Sequence, residues 1–216
     1  MTYEAVLFDL DGTLLDTLDD LADSMNAVLE ARGLPTHPTE RYKAFVGDGV
    51  VALARRALPG GYLDDAELDA VVAEMRQSYA QRWDCKSRPY DGIDAMLNGL
   101  AERGLKRAVL SNKPHDFTVL CVERLLAGHT FDMIVGVSDT IPPKPQTRGA
   151  EHVCWTLGIE AGRFLYLGDT NTDMQTATAT GMFAVGCTWG FRTAEELRDN
   201  GADAVVDHPS DVLGLL

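Results

Sequence analysis

Basic residues are scarce in this sequence, which has 19 lysines and arginines against 33 aspartates and glutamates and therefore a net charge of −14 at pH 7. A field of that sign repels nucleic acids and anionic membrane surfaces. We therefore exclude nucleic acid and membrane as partners. An anionic small molecule remains compatible with the sequence only where local positive charge or a metal ion overrides the overall field.

Long apolar runs are also missing, since no stretch approaches the roughly 20 residues of a membrane span. The start of the chain has no basic segment, and the apolar run that follows is too short for a secretion signal. The four cysteines form no C-x-x-C pair, which argues against a disulfide framework. These absences predict a cytoplasmic protein with reduced thiols.

Residues 15–87 show helical periodicity and no convincing strand. Apolar residues recur every three or four positions over 14–29 and again over 64–83, and shorter helices are predicted over 39–45 and 50–58. We call residues 15–87 the cap and predict that it is entirely helical.

The rest of the chain alternates short buried strands with helices. The predicted strands are 5–8, 107–110, 131–137, 164–167, 183–186 and 204–206. The predicted helices between them are 93–103, 116–126, 149–157, 173–180 and 195–200. Such alternation is typical of βαβ units with right-handed crossovers. We therefore predict an α/β fold, in which residues 1–14 and 88–216 form a doubly wound parallel sheet, the core, and the cap is inserted after the first strand.

Polar residues stand where the predicted strands end, which is where ligands bind in a doubly wound sheet. In chain order they are Asp9, Asp11, Ser111, Asn112, Lys144, Asp169 and Asp173. Four acids, one lysine and hydroxyl donors suit a divalent cation together with a phosphoryl group. The pattern predicts a site for both at this edge of the sheet.

The first of these stretches, Asp9-Leu10-Asp11-Gly12-Thr13, allows two interpretations when it is taken alone. Residues i and i+2 at a strand end point the same way, so the two carboxylates repel unless they share a proton or a cation. The alternative is a β-hairpin with an Asp-Gly turn. The acids and the lysine at neighbouring strand ends favour the site.

These stretches, in this order and spacing, resemble those of the haloacid dehalogenase superfamily of phosphotransferases over nearly the whole chain. The D-x-D-G-T stretch is the superfamily's most specific signature, and the K-P and G-D-x-x-x-D elements agree with it. The helical insertion is similar to the first type of cap in that superfamily. Thr147 is a departure, because a second proline often stands two residues after the K-P dipeptide.

The resemblance implies a role for each acid. Asp9 would attack phosphorus and form an aspartyl-phosphate, and Asp11 would protonate the leaving oxygen and then activate water. Mg²⁺ is the implied cofactor, held by Asp9, the main-chain carbonyl of Asp11, and Asp169. Asp173 would orient the metal's waters or hold Lys144. An acid at position 11 favours phosphate-ester chemistry over the reactions of the superfamily's transport ATPases and dehalogenases.

The remaining motif residues are predicted to bind the phosphoryl group. Ser111 and Asn112 would donate hydrogen bonds to its oxygens, and Lys144 would neutralise charge on it and on the nucleophile. By itself, Lys144 would be interpreted as a solvated loop lysine. Gly12 and Thr13 of the signature are also placed among the substrate-binding residues.

Cap residues 45–58 are similar to the corresponding stretch of bacterial phosphoglycolate phosphatases. Gly47 and Gly49 precede a predicted helix whose N-terminal N–H groups are suited to a small carboxylate, and Arg55 would add positive charge if it faces the cleft. We therefore predict all three as substrate-binding residues. The alternative is that the two glycines form a plain turn between helices.

A non-enzymatic calcium-binding module is the rival class, because Asp169, Asn171 and Asp173 begin like an EF-hand loop. Met174 stands at position six, where glycine is needed, and Thr180 stands at position twelve, where glutamate is needed. These two residues disfavour the calcium module.

We therefore predict a magnesium-dependent phosphatase for a small phosphorylated metabolite, with 2-phosphoglycolate as the leading substrate. The alternatives are another sugar-phosphate phosphatase, a pyrophosphatase, or a β-phosphoglucomutase-like phosphotransferase, and a homodimer is left open. The connections at 12–15 and 87–89 are predicted to be hinges of the cap. The segment Trp189-Gly190-Phe191-Arg192 is predicted to be a packed turn outside the site.

Overall fold

The computed structural model describes residues 3–60 and 65–216. The strands in these ranges are β1 (Ala5–Phe8), β2 (Leu15–Asp16), β3 (Arg88–Pro89), β4 (Lys106–Pro114), β5 (Met133–Val137), β6 (Phe164–Gly168), β7 (Phe183–Cys187) and β8 (Ala204–Val206). The α-helices are α1 (Leu18–Ala31), α2 (Val50–Ala57), α3 (Asp65–Ala80), α4 (Ile93–Glu102), α5 (His115–Leu125), α6 (Arg148–Leu157), α7 (Asn171–Thr180), α8 (Ala194–Asp199) and α9 (Pro209–Val212). Two 3₁₀ helices span Thr39–Ala44 and Ala161–Arg163. Within the described ranges, no helix is both long and apolar enough to cross a membrane.

Six strands form one parallel sheet in the order β5-β4-β1-β6-β7-β8. All four residues of β1 are fully buried, as expected of an inner strand that is covered on both faces. The chain builds one half of the sheet outward from β1 through β4 and β5, and the other half through β6, β7 and β8. The predicted doubly wound α/β fold is therefore confirmed, and the carboxyl ends of β1, β4 and β6 meet at its switch point.

Helices cover both faces of the sheet because side chains alternate along each strand. Val6 and Phe8 of β1 pack in one cluster with α4 and α5. Ala5 and Leu7 face the other way and pack in a second cluster with α6 and α7. This three-layer packing holds the carboxyl ends of the strands at fixed positions beside one another.

The cap residues form a third apolar cluster, built from α1, α2, α3 and the 3₁₀ helix Thr39–Ala44. Phe191, which follows β7, is buried in the same cluster. The two chain segments between core and cap meet in an antiparallel ribbon, in which Leu15 pairs with Pro89 and Asp16 with Arg88. The division into core and cap and the action of the connections as hinges stay predictions.

Several predicted boundaries differ from the structure. Helix α1 begins at Leu18 instead of residue 14, because Leu15 and Asp16 are used by the ribbon. Helix α3 ends at Ala80 instead of residue 83, and its predicted start at residue 64 lies outside the described residues. Helix α9 was not predicted, since its four residues are too few to show a helical period,.

Asp20 links the start of α1 to the end of the cap through hydrogen bonds. Its carboxylate is 1% exposed, and it accepts hydrogen bonds from the backbone N–H groups of Lys86 and Ser87 and from the hydroxyl of Ser87, the shortest at 2.7 Å. We expect Asp20→Ala to lower the free energy of unfolding by about 2–3 kcal/mol, because it leaves these donors without an acceptor.

Urea denaturation measures this loss, and Asp23→Ala is the matched control. Asp23 pairs with the side chain of Lys86 in an exposed ion pair. We expect a much smaller loss for this control, because exposed ion pairs contribute little to stability. Equal losses in the two variants would contradict the role given to Asp20.

Candidate active site

Three buried carboxylates converge at the switch point of the sheet. Asp9 follows β1, Asp169 follows β6, and Asp173 lies in the first turn of α7. One oxygen from each lies within 4.8 Å of the others, and the three residues are between 0 and 5% exposed. Residues separated by 160 positions are adjacent here because β1 and β6 are neighbouring parallel strands.

Lys144 is the buried cation of this cluster. Its Nζ lies 2.8 Å from Asp9 Oδ1 and 2.6 Å from Asp173 Oδ1, and it donates to the carbonyl oxygen of Leu110 at 3.1 Å. Burial lowers the pKa of Lys144, but the charges of Asp173 and Asp9 outweigh this effect and raise it well above its usual value. Lys144 is therefore charged, and it is not the solvated loop lysine of the alternative interpretation.

One ammonium group does not neutralise three carboxylates. Burial and the charge of Asp173 raise the pKa of Asp9 well above its usual range. The same two causes raise the pKa of Asp169 to about 7. Crowded oxygen ligands with surplus negative charge fit a hard divalent cation. The residues present are therefore suited to hold one.

Asp11 lies beside this cluster and is partly exposed. Its Oδ1 accepts hydrogen bonds from the hydroxyl of Thr17 at 2.8 Å and from Nζ of Lys113 at 2.8 Å. Thr17 occupies the N-cap position of α1, but its side chain makes no capping bond there. The start of the cap therefore helps to orient Asp11.

Ser111 and Asn112 lie within the last four residues of β4, because the strand runs on to Pro114 instead of ending at residue 110 as predicted. The hydroxyl oxygen of Ser111 accepts the backbone N–H of Lys113 at 3.2 Å. The side-chain oxygen of Asn112 accepts the backbone N–H of Lys144 at 2.6 Å, and its NH₂ group donates to the carbonyl oxygens of Gly47 and Lys144. Asn112 thus forms hydrogen bonds both to the backbone of Lys144 and to Gly47 of the cap. The position of Asn112 at a predicted strand end did not indicate this link.

Gly12 and Thr13 support Asp169 and are not among the residues lining the cavity. The hydroxyl of Thr13 donates to Asp169 Oδ1 at 2.8 Å. Gly12 has a φ of +88°, and a Cβ there would lie 2.3 Å from Asp169 Oδ2. The structure therefore places both residues against Asp169 and away from the cavity, where the substrate-binding role would put them.

The turn after β7 also contacts Asp169, although it was predicted to lie outside the site. The backbone N–H of Phe191 donates to Asp169 Oδ2 at 2.9 Å, and Nε1 of Trp189 donates to the carbonyl oxygen of Thr13. Arg192 donates to the carbonyl oxygens of Lys43 and Val46 in the cap. The segment is a packed turn, as predicted, but it also positions a carboxylate of the cluster.

Gly190→Ala is expected to distort this turn. An added Cβ would lie 2.4 Å from the Cβ of Asp169 and 2.4 Å from the carbonyl oxygen of Gly12, and overpacking of this kind costs about 1–3 kcal/mol. We expect thermal stability to fall and phosphatase activity to fall with it. Gly162→Ala is the control, because nothing lies within 4 Å of its added Cβ. Wild-type activity in Gly190→Ala would contradict this placement of Asp169.

A cavity that is open to solvent lies between the strand ends and the cap. Its core side carries Asp9, Asp11, Ser111, Asn112 and Lys113. Its apolar wall consists of Leu21, Val46, Val50, Leu53, Met75 and Phe117. Of the three clustered carboxylates, only Asp9 lines the cavity, so it is the one exposed to a ligand there.

The cap contributes a different arginine from the predicted one. Gly47 and Gly49 line the cavity, as expected, with φ values of +111° and +86°. Arg55 is exposed and does not line it, because that position lies on the outer side of α2. Arg76 and Tyr79 of α3 line the cavity instead. Helical spacing alone could not place α3 over the site.

Lys113 is the main site residue that the sequence reasoning missed. It is buried, lines the cavity and contacts Asp11. A signal was available, because Lys113 directly follows Ser111 and Asn112 at the same strand end. Lysines that follow a strand are common on protein surfaces, so the position of Lys113 in the sequence does not by itself indicate a site residue. Its contact with Asp11 in the structure does.

Comparison with known proteins identifies relatives that match almost the entire chain. A phosphoglycolate phosphatase of Pectobacterium atrosepticum is 33% identical over 97% of this chain and 90% of its own length. A phosphoglycolate phosphatase of Pseudomonas putida is 33% identical over 94% of this chain and 75% of its own length. An N-acetylmuramic acid 6-phosphate phosphatase of Pseudomonas aeruginosa is 32% identical over 100% and 96%.

Solved structures agree with the fold. A Lactobacillus delbrueckii protein with the provisional name of phosphoglycolate phosphatase is 30% identical and superposes with a TM-score of 0.94, covering 100% of this chain and 98% of that chain. A haloacid dehalogenase-like hydrolase of Streptococcus pneumoniae is 22% identical with a TM-score of 0.89, covering 99% and 98%, and supports the fold alone. The family model of haloacid dehalogenase-like hydrolases matches residues 6–187. This chain is therefore a member of the haloacid dehalogenase-like hydrolase family, and it is a phosphatase.

Proposed function

We propose that this phosphatase is magnesium-dependent, hydrolyses a small phosphate monoester through an aspartyl-phosphate on Asp9, and prefers 2-phosphoglycolate. The observation that carries the proposal is the position of Asp9. Its carboxylate belongs to the buried acidic cluster, pairs with Lys144 and also lines the cavity. Asp9 is thus the carboxylate that can contact a substrate in the cavity while Lys144 balances its charge.

In the first step, a carboxylate oxygen of Asp9 attacks phosphorus and the ester P–O bond breaks. Asp11 gives its proton to the departing alcohol oxygen. In the second step, the Asp11 carboxylate removes a proton from water, whose oxygen attacks phosphorus and releases inorganic phosphate. Asp9 is then a carboxylate again and Asp11 is protonated for the next cycle.

Magnesium is the cofactor that fits the oxygen donors of the cluster. Asp9, Asp169 and the main-chain carbonyl of Asp11 would hold it, and it would supply positive charge against the phosphoryl oxygens. Asp173 would hold Lys144, which is supported by their 2.6 Å contact. Lys144 in turn balances the charge of Asp9.

The choice of 2-phosphoglycolate is supported by the relatives that are named for it and by the apolar wall of the cavity. A polyhydroxylated sugar would leave hydroxyl groups against that wall without hydrogen-bond partners. This argues against the sugar-phosphate and mutase alternatives. N-Acetylmuramic acid 6-phosphate is also a sugar phosphate, so the apolar wall disfavours it as well. It is kept as the second candidate only because one relative is named for it.

Phosphate release from a panel of phosphate compounds, with magnesium and with EDTA, tests the proposal. The panel contains 2-phosphoglycolate, N-acetylmuramic acid 6-phosphate, β-glucose 1-phosphate and pyrophosphate. We expect the highest kcat/KM for 2-phosphoglycolate and no turnover in EDTA. A poor rank for 2-phosphoglycolate would overturn the substrate, and full activity in EDTA would overturn the metal. Sugar-phosphate isomerisation without phosphate release would indicate a mutase.

We also propose a cytoplasmic location and a small phosphorylated metabolite as the partner. The four cysteines all lie in the described part of the chain, and all are free thiols, which is typical of proteins kept in a reducing compartment.

A further inference from the structure

Lys113 is a second buried lysine of the site, and unlike Lys144 it lines the cavity. It is 8% exposed, and its Nζ lies 2.8 Å from Asp11 Oδ1, 2.7 Å from the hydroxyl of Tyr79 and 3.8 Å from Sγ of Cys121. The ammonium group of Lys113 therefore faces the ligand space.

The two lysines differ in how completely their charges are balanced. Lys144 contacts two carboxylates and a carbonyl oxygen, so its three N–H donors are used by strong acceptors. Lys113 contacts one carboxylate, one phenol and one thiol, and a thiol is a weak acceptor. Lys113 thus has the capacity to bind a further anionic acceptor.

Three of the residues that line the cavity can be matched to the parts of a short phosphoester. Asp9 is the proposed nucleophile for phosphorus, Asp11 serves the ester oxygen, and Lys113 contacts Asp11. A group attached one carbon beyond the ester oxygen would therefore come next to Lys113. Ser111 and Asn112 also line the cavity and are already assigned to the phosphoryl group. The other polar side chains that line it are Tyr79 and the exposed Arg76.

We propose that Lys113, steadied by the hydroxyl of Tyr79, binds a carboxylate on the leaving alcohol of the substrate. The inference rests on the proposed function and gives it a substrate class, the phosphate esters of short hydroxy acids. A carboxylate replaces the weak thiol contact with a charge-assisted hydrogen bond. A neutral alcohol of the same size makes no such bond and is selected against.

Binding of two inert phosphonates tests the subsite without turnover. In 3-phosphonopropionate, a methylene replaces the ester oxygen of 2-phosphoglycolate. Propylphosphonate is the matched ligand, which has a methyl group in place of the carboxylate and keeps the phosphonate. Calorimetry in magnesium buffer gives the two dissociation constants. For the wild type, we expect binding of the carboxylate ligand to be at least about 10-fold tighter.

Substitutions then identify the residue responsible. We expect Lys113→Met to reduce the preference to less than about 3-fold, Tyr79→Phe to reduce it partly, and Lys113→Arg to retain part of it. Lys106→Met is the control, because Lys106 is an exposed lysine paired with Asp132. Should Lys113→Met fail to fold, an unchanged preference in Tyr79→Phe would overturn the subsite.

Two results contradict the inference directly. One is a wild type that shows no preference for the carboxylate ligand. The other is a Lys113→Met variant that binds both ligands more weakly by the same factor, since this would make Lys113 a positioning residue for Asp11 alone.

Hydrolysis separates this inference from the proposed function. The wild type is assayed with 2-phosphoglycolate and with 2-hydroxyethyl phosphate, whose leaving alcohol carries no charge. We expect kcat/KM to be at least about 10-fold higher for 2-phosphoglycolate. Equal values would overturn the subsite while the phosphatase stands. If the wild type releases no phosphate from any compound of the panel, the proposed function fails, and the claim that the bound carboxylate belongs to a substrate fails with it.

Discussion

Asp9→Asn is expected to reduce kcat by at least about 10⁴-fold, as is typical when the nucleophile of a covalent mechanism is removed. A neutral amide is a poor nucleophile and cannot form the aspartyl-phosphate. Phosphate release in magnesium buffer measures the loss. Acid-quenched enzyme that has been incubated with a ³²P-labelled ester provides a second measurement, because wild type should retain label and the variant should not.

The stability of Asp9→Asn separates lost chemistry from lost folding. The pKa of Asp9 is raised in the folded chain, chiefly by burial. At neutral pH its ionised form therefore disfavours folding of the metal-free protein, and Asn removes this cost. We expect the metal-free variant to be at least as stable as wild type in urea. Asp19→Asn, an exposed substitution in α1, is the control and should keep full activity. Wild-type activity in Asp9→Asn would overturn the mechanism.

Lys144→Met is expected to have the largest effect on stability, a loss of about 3–5 kcal/mol in the free energy of unfolding. The substitution leaves Asp9 and Asp173 buried beside each other without their shared cation. Guanidinium denaturation of the metal-free protein measures the loss. Activity should fall as well, because the nucleophile then lacks the charge that balances it.

A double variant shows whether the unbalanced charge is the cause. In Lys144→Met with Asp173→Asn, one of the two stranded carboxylates is replaced by a neutral side chain of the same shape. We expect part of the lost stability to return while activity stays low. A double variant that is no more stable than Lys144→Met alone would contradict the ion-pair explanation. That result would indicate that Lys144 stabilises the fold mainly through the packing of its aliphatic chain.

Much of the core was predictable because its signals are local. The fully apolar run of β1 indicates an inner strand, and the helices after it repeat every three or four residues. Boundaries such as the start of α1 were predicted less well. Leu15 and Asp16 continue a helical pattern in the sequence, but they pair with a segment more than 70 residues away, and no local pattern records such a pairing.

The positions of several site residues could be predicted from residue type and strand order, and their roles stay predictions. Asp9, Asp169 and Lys144 lie together because each stands at or near the carboxyl end of a strand in the same parallel sheet. Gly12 and Thr13 were predicted to bind substrate, but neither lines the cavity. They belong to the same signature, yet their positions are decided by the side chain of Asp169 that packs against them.

The sequence by itself determined the class of the fold and the edge of the sheet at which the buried acids meet, because periodicity and residue type act over short distances. Only the tertiary structure decided which cap residues reach the site. Lys113 meets Asp11 and Tyr79 across 102 and 34 residues, and Arg76 lines the cavity where Arg55 was expected. Those contacts depend on how the cap helices pack over the strand ends. This packing joins residues that are far apart in the sequence, so no local sequence pattern records it.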